Sequence, residues 1–416
     1  MHWKKGIALT ASLLVGVAPH VVAQGTTTTV ASAATSSTAG PTHAELVAMM
    51  APAVARLIRD AGVGPGKTVV FWGGASQLPM MERLAIESER AGAATHIGVT
   101  TDDLQRVRYL GSAAQRDRFV RELIAERQVG DVIVFNFPSN ETSAGFDSLP
   151  AAQQQMIMDA GKAFGKAQEA GPKWRDVWIN LPTPTDTAGS GMTLESIRRA
   201  RWAEIAADPD QMIATGTALR ARLSAAKKIR VTSPDGTDFT FVPAAGRGSI
   251  DPAPNDSAGA AASALSYPRG SLSVIGQSAT ANGRLRAPWD ICAKPVTHES
   301  VDVDKGIPAN ISGPGDDECV RKTLAPLKFG FLQIGLNPGS TAATTAAPLA
   351  NGDFSAVGLV LIGFGMSTHI GGDDPGPGLW EVPVPRATVL ADGVAVVRDG
   401  RILVSAGTPT TASAKQ

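Results

Sequence analysis

The fold class is set by a short stretch in the first half of the chain, DVIVFNF at residues 131–137. This continuous apolar run is rich in β-branched and aromatic side chains, as is typical of a strand buried on both faces. Three similar runs flank it, separated by helix-like sequence. The predicted strands are 67–72, 94–99, 131–137 and 176–181, and the predicted helices are 44–61, 79–91, 113–127 and 151–170. Strands that alternate with helices predict βαβ units, and hence a doubly wound parallel sheet covered on both faces.

The sequence changes character after residue 227. A helix is predicted from an N-cap at Asp208, with Pro209 at its first position, to about Lys227. The turn SPDGT at 233–237 then joins two strand-like runs. Beyond it, short strands and many Gly and Pro residues replace helical periodicity. We therefore expect an α/β domain followed by a β-rich C-terminal domain, with the boundaries 43–227 for the first, 228–407 for the second and 408–416 for a frayed tail.

The first 42 residues are expected to lie outside the fold. Two lysines at 4–5 precede an apolar run that ends in Val-Val-Ala at 21–23, which indicates a secretory signal peptide over 1–23. Residues 24–42 are rich in Thr, Ser and Ala and predict a disordered tether. No later stretch is long and apolar enough to span a membrane. A periplasmic or secreted protein without a membrane span in its mature form is therefore expected.

Charge and cysteine content exclude several classes of protein. The chain carries 38 Lys and Arg against 38 Asp and Glu, which removes the electrostatic case for nucleic acid as a partner. Its 2 cysteines exclude a disulfide scaffold and a Cys-rich metal cluster. Export implies an oxidising compartment, so Cys292 and Cys319 are expected to pair. Two unpaired buried thiols are the alternative.

Few histidines remain as candidates for chemistry. His298 precedes alternating acids at 299–304, for which a solvated hairpin is the simpler interpretation. His369 lies in a glycine-rich loop together with Asp373 and Asp374, and loops of this kind bring polar groups close to ligands. One imidazole with two acids is nevertheless a weak metal signal, because metal ligands must converge in space.

A succession of short motifs resembles a known superfamily. The motifs are SPDGTDF at 233–239, YPRG at 267–270, IGLNP at 334–338, GMSTHIGG at 365–372, LWEVPV at 379–384 and ATVLADG at 387–393. In order and spacing they resemble the aminopeptidase T and aminopeptidase S metallopeptidases, and more closely the branch that contains 2,5-dihydroxypyridine dioxygenase. The resemblance extends over about 44–404. It implies an α/β domain, then a β-rich domain that carries a metal site, and a homodimer.

The chain departs from this superfamily where the metal ligands would lie. The comparison places Ser271, Phe331, Leu379 and Glu381 at those positions. Phe331 and Leu379 offer no lone pair, and one carboxylate is too few because a catalytic divalent ion needs about three protein ligands. No cofactor is therefore expected. His369 lies where the dioxygenase branch has a Glu.

Three hypotheses remain open. The first is a binding protein with a degenerate metal site that takes a small peptide or a small aromatic acid in the inherited cleft. Its predicted ligand-binding residues are Phe331, Asn337, Asp373, Asp374, Leu379 and Trp380. The second is a divergent hydrolase of the aminopeptidase type or a ring-cleaving dioxygenase, with His369 and Glu381 as catalytic residues. These would act with a rebuilt zinc, iron or manganese site or by metal-free acid–base chemistry. In the third, these two side chains are only structural hydrogen-bonding groups.

Overall fold

The structure is a computed structural model. It describes residues 43–127, 131–139, 150, 152–153, 155–156, 159, 174–184, 193–251, 264–287, 299–312, 321–322, 324–340, 355–376 and 378–404. Several predictions lie outside these residues: the signal peptide at 1–23, the tether at 24–42, most of the helix at 151–170, the Cys292–Cys319 pair, His298 and the tail at 408–416.

The first part of the chain forms an α/β unit around a parallel sheet, here called sheet A. Its elements are α1 (His43–Ala61), β1 (Thr68–Gly74), α2 (Leu78–Arg90), β2 (Ala94–Thr100), α3 (Asp102–Leu110), α4 (Ala113–Arg127), β3 (Val132–Asn136), β4 (Trp174–Ile179), α5 (Leu194–Ala206), α6 (Pro209–Ser224) and β8 (Ala264–Tyr267). The strand order is β2-β1-β3-β4-β8, and every neighbouring pair is parallel. The predicted doubly wound parallel sheet is therefore confirmed.

The central strand has the environment that its sequence predicts. Every residue of β3 is buried, and Phe135 stacks on Phe71 of β1 with ring centroids 5.2 Å apart. Two helices were not predicted, α3 and α5. Each begins at a threonine whose hydroxyl accepts a backbone N–H of the first turn, Thr101 for α3 and Thr193 for α5.

The second part of the chain is β-rich. Its strands are β5 (Ile229–Thr232), β6 (Asp238–Phe241), β7 (Pro243–Asp251), β9 (Ser271–Gly276), β10 (Asn282–Ala287), β11 (Glu299–Asp304), β12 (Ile307–Ser312), β13 (Phe329–Gly335), β14 (Val360–Gly365), β15 (Leu379–Val384), β16 (Thr388–Ala391), β17 (Val394–Arg398) and β18 (Arg401–Ile402). They form sheet B, in the order β12-β11-β10-β6-β5-β16-β17-β18, and sheet C, in the order β15-β14-β13-β9-β7.

Sheets B and C share one apolar core with α6. The aromatic rings of Phe239 and Phe241 on sheet B pack against Phe329 of sheet C, at 5.2 Å and 4.8 Å between centroids. The predicted turn at 233–237 is present, and its backbone closes through a hydrogen bond from the Ser233 N–H to the Thr237 carbonyl. One face of sheet C therefore packs in the core, and its other face is available for a functional site.

The junction between the two parts of the chain departs from the prediction in two ways. Helix α6 does begin at the predicted N-cap, Asp208, but it ends at Ser224. The backbone N–H groups of Lys227 and Lys228 then donate to the Asp392 carboxylate. Strand β8 lies within the range predicted for the β-rich part, yet it pairs with β4 of sheet A. The chain thus returns to the first sheet before it continues into sheet C.

One buried contact holds sheet C against the α/β part, and a partly buried contact ties β8, the strand that precedes β9 of sheet C, to α1. The Tyr267 hydroxyl at the end of β8 donates to the Asp60 carboxylate of α1 at 2.7 Å, and burial, reinforced by this carboxylate, raises the pKa of Tyr267. The Asn337 side chain, just after β13, donates to the carbonyls of Glu204 at 2.9 Å and Arg269 at 2.6 Å. Among the described helices, none has the length and hydropathy needed to cross a membrane.

Candidate functional site

The candidate site lies on the face of sheet C that points away from the shared core. Cross-strand pairing aligns four residues in a row across β9, β13, β14 and β15, in the order Ile275, Phe331, Gly363 and Glu381. Their strand neighbours, such as Leu332 and Ile362, belong to the core cluster, and successive residues of a strand face opposite sides. The face that carries this row is called the outer face of sheet C below.

Phe331 occupies the middle of the row. A Cβ placed on Gly363 would lie only 2.2–2.5 Å from three atoms of the Phe331 ring. The ring therefore lies directly over Gly363, and the absence of a side chain there makes room for it. Beyond Gly363, the next residue in the row is Glu381. Along this row, the side chain next to the Glu381 carboxyl group is therefore the apolar ring of Phe331.

His369 lies against the same ring. It belongs to a single 3₁₀ turn, Thr368–Ile370, that follows β14. Its imidazole meets the Phe331 ring edge to face, with centroids 6.2 Å apart and planes at 84°. Its Nδ1 is buried and has no hydrogen-bond partner among the described residues. Burial lowers the pKa of His369 below its usual 6.5, so the ring is neutral at pH 7.

Glu381 is a half-buried carboxyl group in an apolar setting. Burial raises its pKa from 4.5 to about 7, because removing a carboxylate from water disfavours its charged form. Desolvation is the only cause of this change. The group therefore exchanges its proton near neutral pH. The outer face thus carries two polar groups, His369 and Glu381, whose proton affinities are both altered by burial.

An ion pair holds the loop that carries His369. Arg247 of β7 donates to both carboxylate oxygens of Asp373 and, at 2.9 Å, to the carbonyl of Gly371. Asp374 accepts the N–H of Gly376 at 2.8 Å. The two loop acids therefore shape the loop, and Asp373 faces Arg247 on an exposed surface. Their assignment as ligand-binding residues stays a prediction.

The remaining predicted residues are distributed over different parts of the structure. Leu379 shares the outer face with Glu381 and is 39% exposed. Trp380, between them, points into the core and packs on Phe364 with centroids 5.4 Å apart. Asn337 is fully buried, and both hydrogens of its amide are bound to backbone carbonyls. The structure thus brings Phe331, Leu379, His369 and Glu381 to one face, and places Trp380 and Asn337 elsewhere.

Ser271 is distant from this group. It pairs with Gly335 at one end of β13, whereas Phe331 at the other end pairs with Ile275. Four residues of strand separate the two pairs, or about 13 Å. The four positions compared with metal ligands therefore do not converge.

The side chains of the site do not fit a resident divalent metal. Within the described ranges, no three His, Cys, Asp or Glu residues lie close enough together to hold one ion. Glu381 is bordered by a phenyl ring, and the nearby loop acids are bound to Arg247 and to backbone. Zinc and iron require about three converging protein ligands, which this donor set does not supply.

Sequence reasoning missed two residues that shape the site. Arg247 fixes the loop of His369, and Gly363 makes room for the Phe331 ring. A signal for the glycine was present, because an isolated Gly within a buried strand marks the close approach of another group. No local pattern pointed to Arg247, since its partner lies more than a hundred residues further along the chain.

The architecture defines a class of two-domain proteins in which a doubly wound parallel sheet is followed by a β-rich domain. Among solved structures, the chain is similar to AmpT from Thermus thermophilus, with a TM-score of 0.61 and 16% identity over 86% of this chain and 100% of that one. It is also similar to 2,5-dihydroxypyridine dioxygenase from Pseudomonas putida KT2440, with a TM-score of 0.51 and 16% identity over 87% of this chain and 98% of that one. No family model and no curated protein sequence matches the chain. The predicted resemblance is therefore confirmed as a shared fold.

Proposed function

We propose that this chain is an exported binding protein on the AmpT and dioxygenase fold, without a resident catalytic metal. Its ligand, a small peptide or a small aromatic acid, would bind on the outer face of sheet C between His369 and Glu381. The observation that carries the proposal is the Phe331 ring over Gly363. It leaves Glu381 beside an apolar surface, and small-ligand sites typically combine such a surface with a few convergent polar groups.

The polar groups of the site suggest how each ligand class would bind. A peptide would offer its amino group to Glu381 and pack its first side chain on Phe331 and the exposed Leu379. An aromatic acid would place its ring there and its carboxylate against the protonated Glu381, or against the unpartnered Nδ1 of His369. The second mode uses the buried Nδ1 of His369, which has no partner in the described part of the chain and therefore favours a ligand that supplies one.

The pH dependence of binding distinguishes the two classes. Glu381 has a pKa of about 7, so it is mostly protonated at pH 6 and mostly ionised at pH 8. Affinity for an amine should therefore increase as the pH rises through 7, for as long as the amine keeps its proton. Affinity for an aromatic carboxylate should decrease over the same range, because like charges then meet.

Isothermal titration with phenylalanyl-alanine and with benzoate, at pH 6 and pH 8, tests this proposal. Binding of one probe with the stated pH trend supports it. His369→Ala and Glu381→Gln should each weaken that binding about tenfold, the effect of losing a hydrogen bond to a buried polar group. His96→Ala, at an exposed histidine on β2, is the matched control and should have no effect. Binding that changes equally in all three variants would place the ligand elsewhere.

Elemental analysis of protein purified without chelator or affinity-tag metal tests the other part of the proposal. We expect less than a tenth of an equivalent of zinc, iron or manganese, because the donor set is insufficient, on the order of one ligand where about three are needed. One equivalent of any of these metals would refute the assignment of a metal-free site. The ligand titration is independent of this result.

One observation favours a second candidate, metal-free hydrolysis of small peptides. A carboxyl group with a pKa of about 7, on the same face of sheet C as a neutral imidazole, has the proton affinity that general acid–base catalysis requires. Release of free amino acids from phenylalanyl-alanine, with loss of the rate in His369→Ala and Glu381→Gln and retention in His96→Ala, would establish it. No release over a day at pH 7 would leave binding as the function.

The proposal that the protein is exported does not depend on the residues of the site, so it is tested separately. The apolar run and the Val-Val-Ala pattern at 21–23 support cleavage before Gln24. N-terminal sequencing of the protein from a cell fraction outside the cytoplasmic membrane should begin at Gln24. A first residue of Met1 in the cytoplasmic fraction would refute export.

A further inference from the structure

Sheet A also carries buried polar side chains that lack hydrogen-bond partners among the described residues. They are separate in the sequence from the site on sheet C. Parallel pairing aligns Gly98, Trp72, Asn136 and Trp178 in one row across β2, β1, β3 and β4. The row lies at or next to the carboxyl ends of these strands. The row is on the face of the sheet that packs on α4. Nearer the amino ends of the strands, Val70 and Val134 on this face pack against Val120 of α4. Above that packed layer, the face carries polar and aromatic side chains.

Trp72 has a donor without an acceptor. Its indole ring lies over Gly98, since a Cβ there would meet ring carbons at 2.6 Å. Its Nε1 is buried and makes no hydrogen bond within the described ranges. Thr100, two residues beyond Gly98, is nine-tenths buried, and its hydroxyl also has no partner there. Leaving a buried donor without an acceptor is costly, so two such groups on one face need an explanation.

Asn136 supplies a fixed acceptor between the two tryptophans. Its Nδ2 donates to the buried Asp176 carboxylate at 3.0 Å and more weakly to the Val134 carbonyl at 3.4 Å. Trp174 donates to the other oxygen of Asp176 at 2.9 Å. These contacts occupy the amide hydrogens and set the orientation of the group, which leaves its Oδ1 to accept.

The location is also the one that ligands favour in this kind of sheet. The order β2-β1-β3-β4-β8 reverses direction between β1 and β3, and ligands of doubly wound sheets bind at the carboxyl ends beside such a switch point. Trp72 and Asn136 belong to these two strands. Trp72 and Trp178 lie two strand spacings apart, about 10 Å, with Asn136 on the strand between them.

We propose that this row binds a flat, uncharged nitrogen heterocycle with a lactam edge, in which a ring N–H adjoins a carbonyl. The ligand N–H would donate to Asn136 Oδ1, and its carbonyl would accept from Trp72 Nε1 or the Thr100 hydroxyl. The indole ring of Trp178 would contact one of its faces. An uncharged ligand fits because Asp176, the acid that the described residues place in this row's hydrogen-bond network, is already bound by Asn136 and Trp174. This site goes beyond the function proposed for sheet C and does not depend on it.

Uracil is the probe, and 1,3-dimethyluracil, which lacks both N–H donors, is its matched control. In the full-length protein labelled with ¹⁵N at the indole nitrogens, uracil should shift the Trp72 indole resonance, identified by its loss in Trp72→Phe. The Trp380 indole, whose buried Nε1 also has no partner among the described residues but lies in the shared core, should not shift. Equilibrium dialysis should give about fivefold weaker binding for Trp72→Phe, the loss of one hydrogen bond, and no change for Trp380→Phe.

Three results would overturn the proposal. The first is no shift of the Trp72 resonance up to the solubility limit of uracil. The second is an equal shift with 1,3-dimethyluracil, since the N–H contact to Asn136 would then be absent. The third is the same loss of affinity in Trp72→Phe and Trp380→Phe. If Trp72→Phe does not fold, the resonance is assigned from the remaining Trp→Phe variants, and the wild-type titration decides alone.

Discussion

Glu381→Gln tests the apolar character of the candidate site through stability alone. The folded-state pKa of about 7 lies above the ordinary 4.5, so the native state binds more protons than the unfolded state between these values. Stability therefore falls as the pH rises from 4.5 to 7 and is level above that. A difference of about 2.5 pH units corresponds to ~3 kcal/mol. Because Glu381 is only half-buried, solvent reduces the expected effect to about 2 kcal/mol.

Urea denaturation at pH 5 and pH 8 measures this effect. A glutamine has the shape of the protonated acid and never ionises, so the variant should match the wild type at pH 5 and exceed it by about 2 kcal/mol at pH 8. Glu82→Gln, at an exposed position of α2, controls for the loss of one negative charge. A stability gap that is the same at both pH values would refute the reasoning, because it would mean that the carboxyl group is not desolvated.

Three further substitutions test the geometry of the site. Gly363→Ala should cost about 1–3 kcal/mol in urea denaturation, because the new methyl group meets the Phe331 ring, whereas Gly64→Ala, with open space around it, should be nearly neutral. Equal effects of the two would mean that the ring moves freely. Asn337→Ala should cost about 2–3 kcal/mol, since two backbone carbonyls lose their donor; a cost below about 0.5 kcal/mol would remove its bridging role. Arg247→Ala should leave the melting temperature within a few degrees but increase the proteolysis of the 366–378 loop, and unchanged cleavage would show that the loop holds without it.

The parts of the fold that could be predicted are those whose signal is local. Strand β3 is a continuous apolar run and is buried at each position, and the SPDGT turn closes the hairpin between β5 and β6. Helices α3 and α5 were missed although each begins at a threonine N-cap and α5 has Ile197, Trp202 and Ile205 at helical spacing, so a local signal was overlooked there. The pairing of β8 with β4 had no local signal, since it depends on where the chain returns after a long excursion.

The sequence predicted several residues of the candidate site correctly, but it predicted only partly which of them lie together. Alternation along β15 already implied that Leu379 and Glu381 share a face and that Trp380 lies opposite, so the joint assignment of all three to one site overlooked an available signal. The packing of His369 against Phe331 could not be read from the sequence, because it depends on a turn after β14 reaching back over β13. Asn337 was chosen from a motif, and the structure gives that motif a role in joining α5 to sheet C.

A single irregularity in β13 determines the chemistry of the outer face. Phe329 and Phe331 are two residues apart and would share a face in a regular strand. The pairing with β14 shifts between them, and the extra residue of such a bulge turns the following side chains to the other side. Phe329 therefore joins the core beside Phe364, while Phe331 packs against His369 in the row that leads to Glu381. The bulge thus places an aromatic ring where the sheet would otherwise present a small side chain. For that reason, the apolar setting of Glu381 follows from one feature of the backbone of β13.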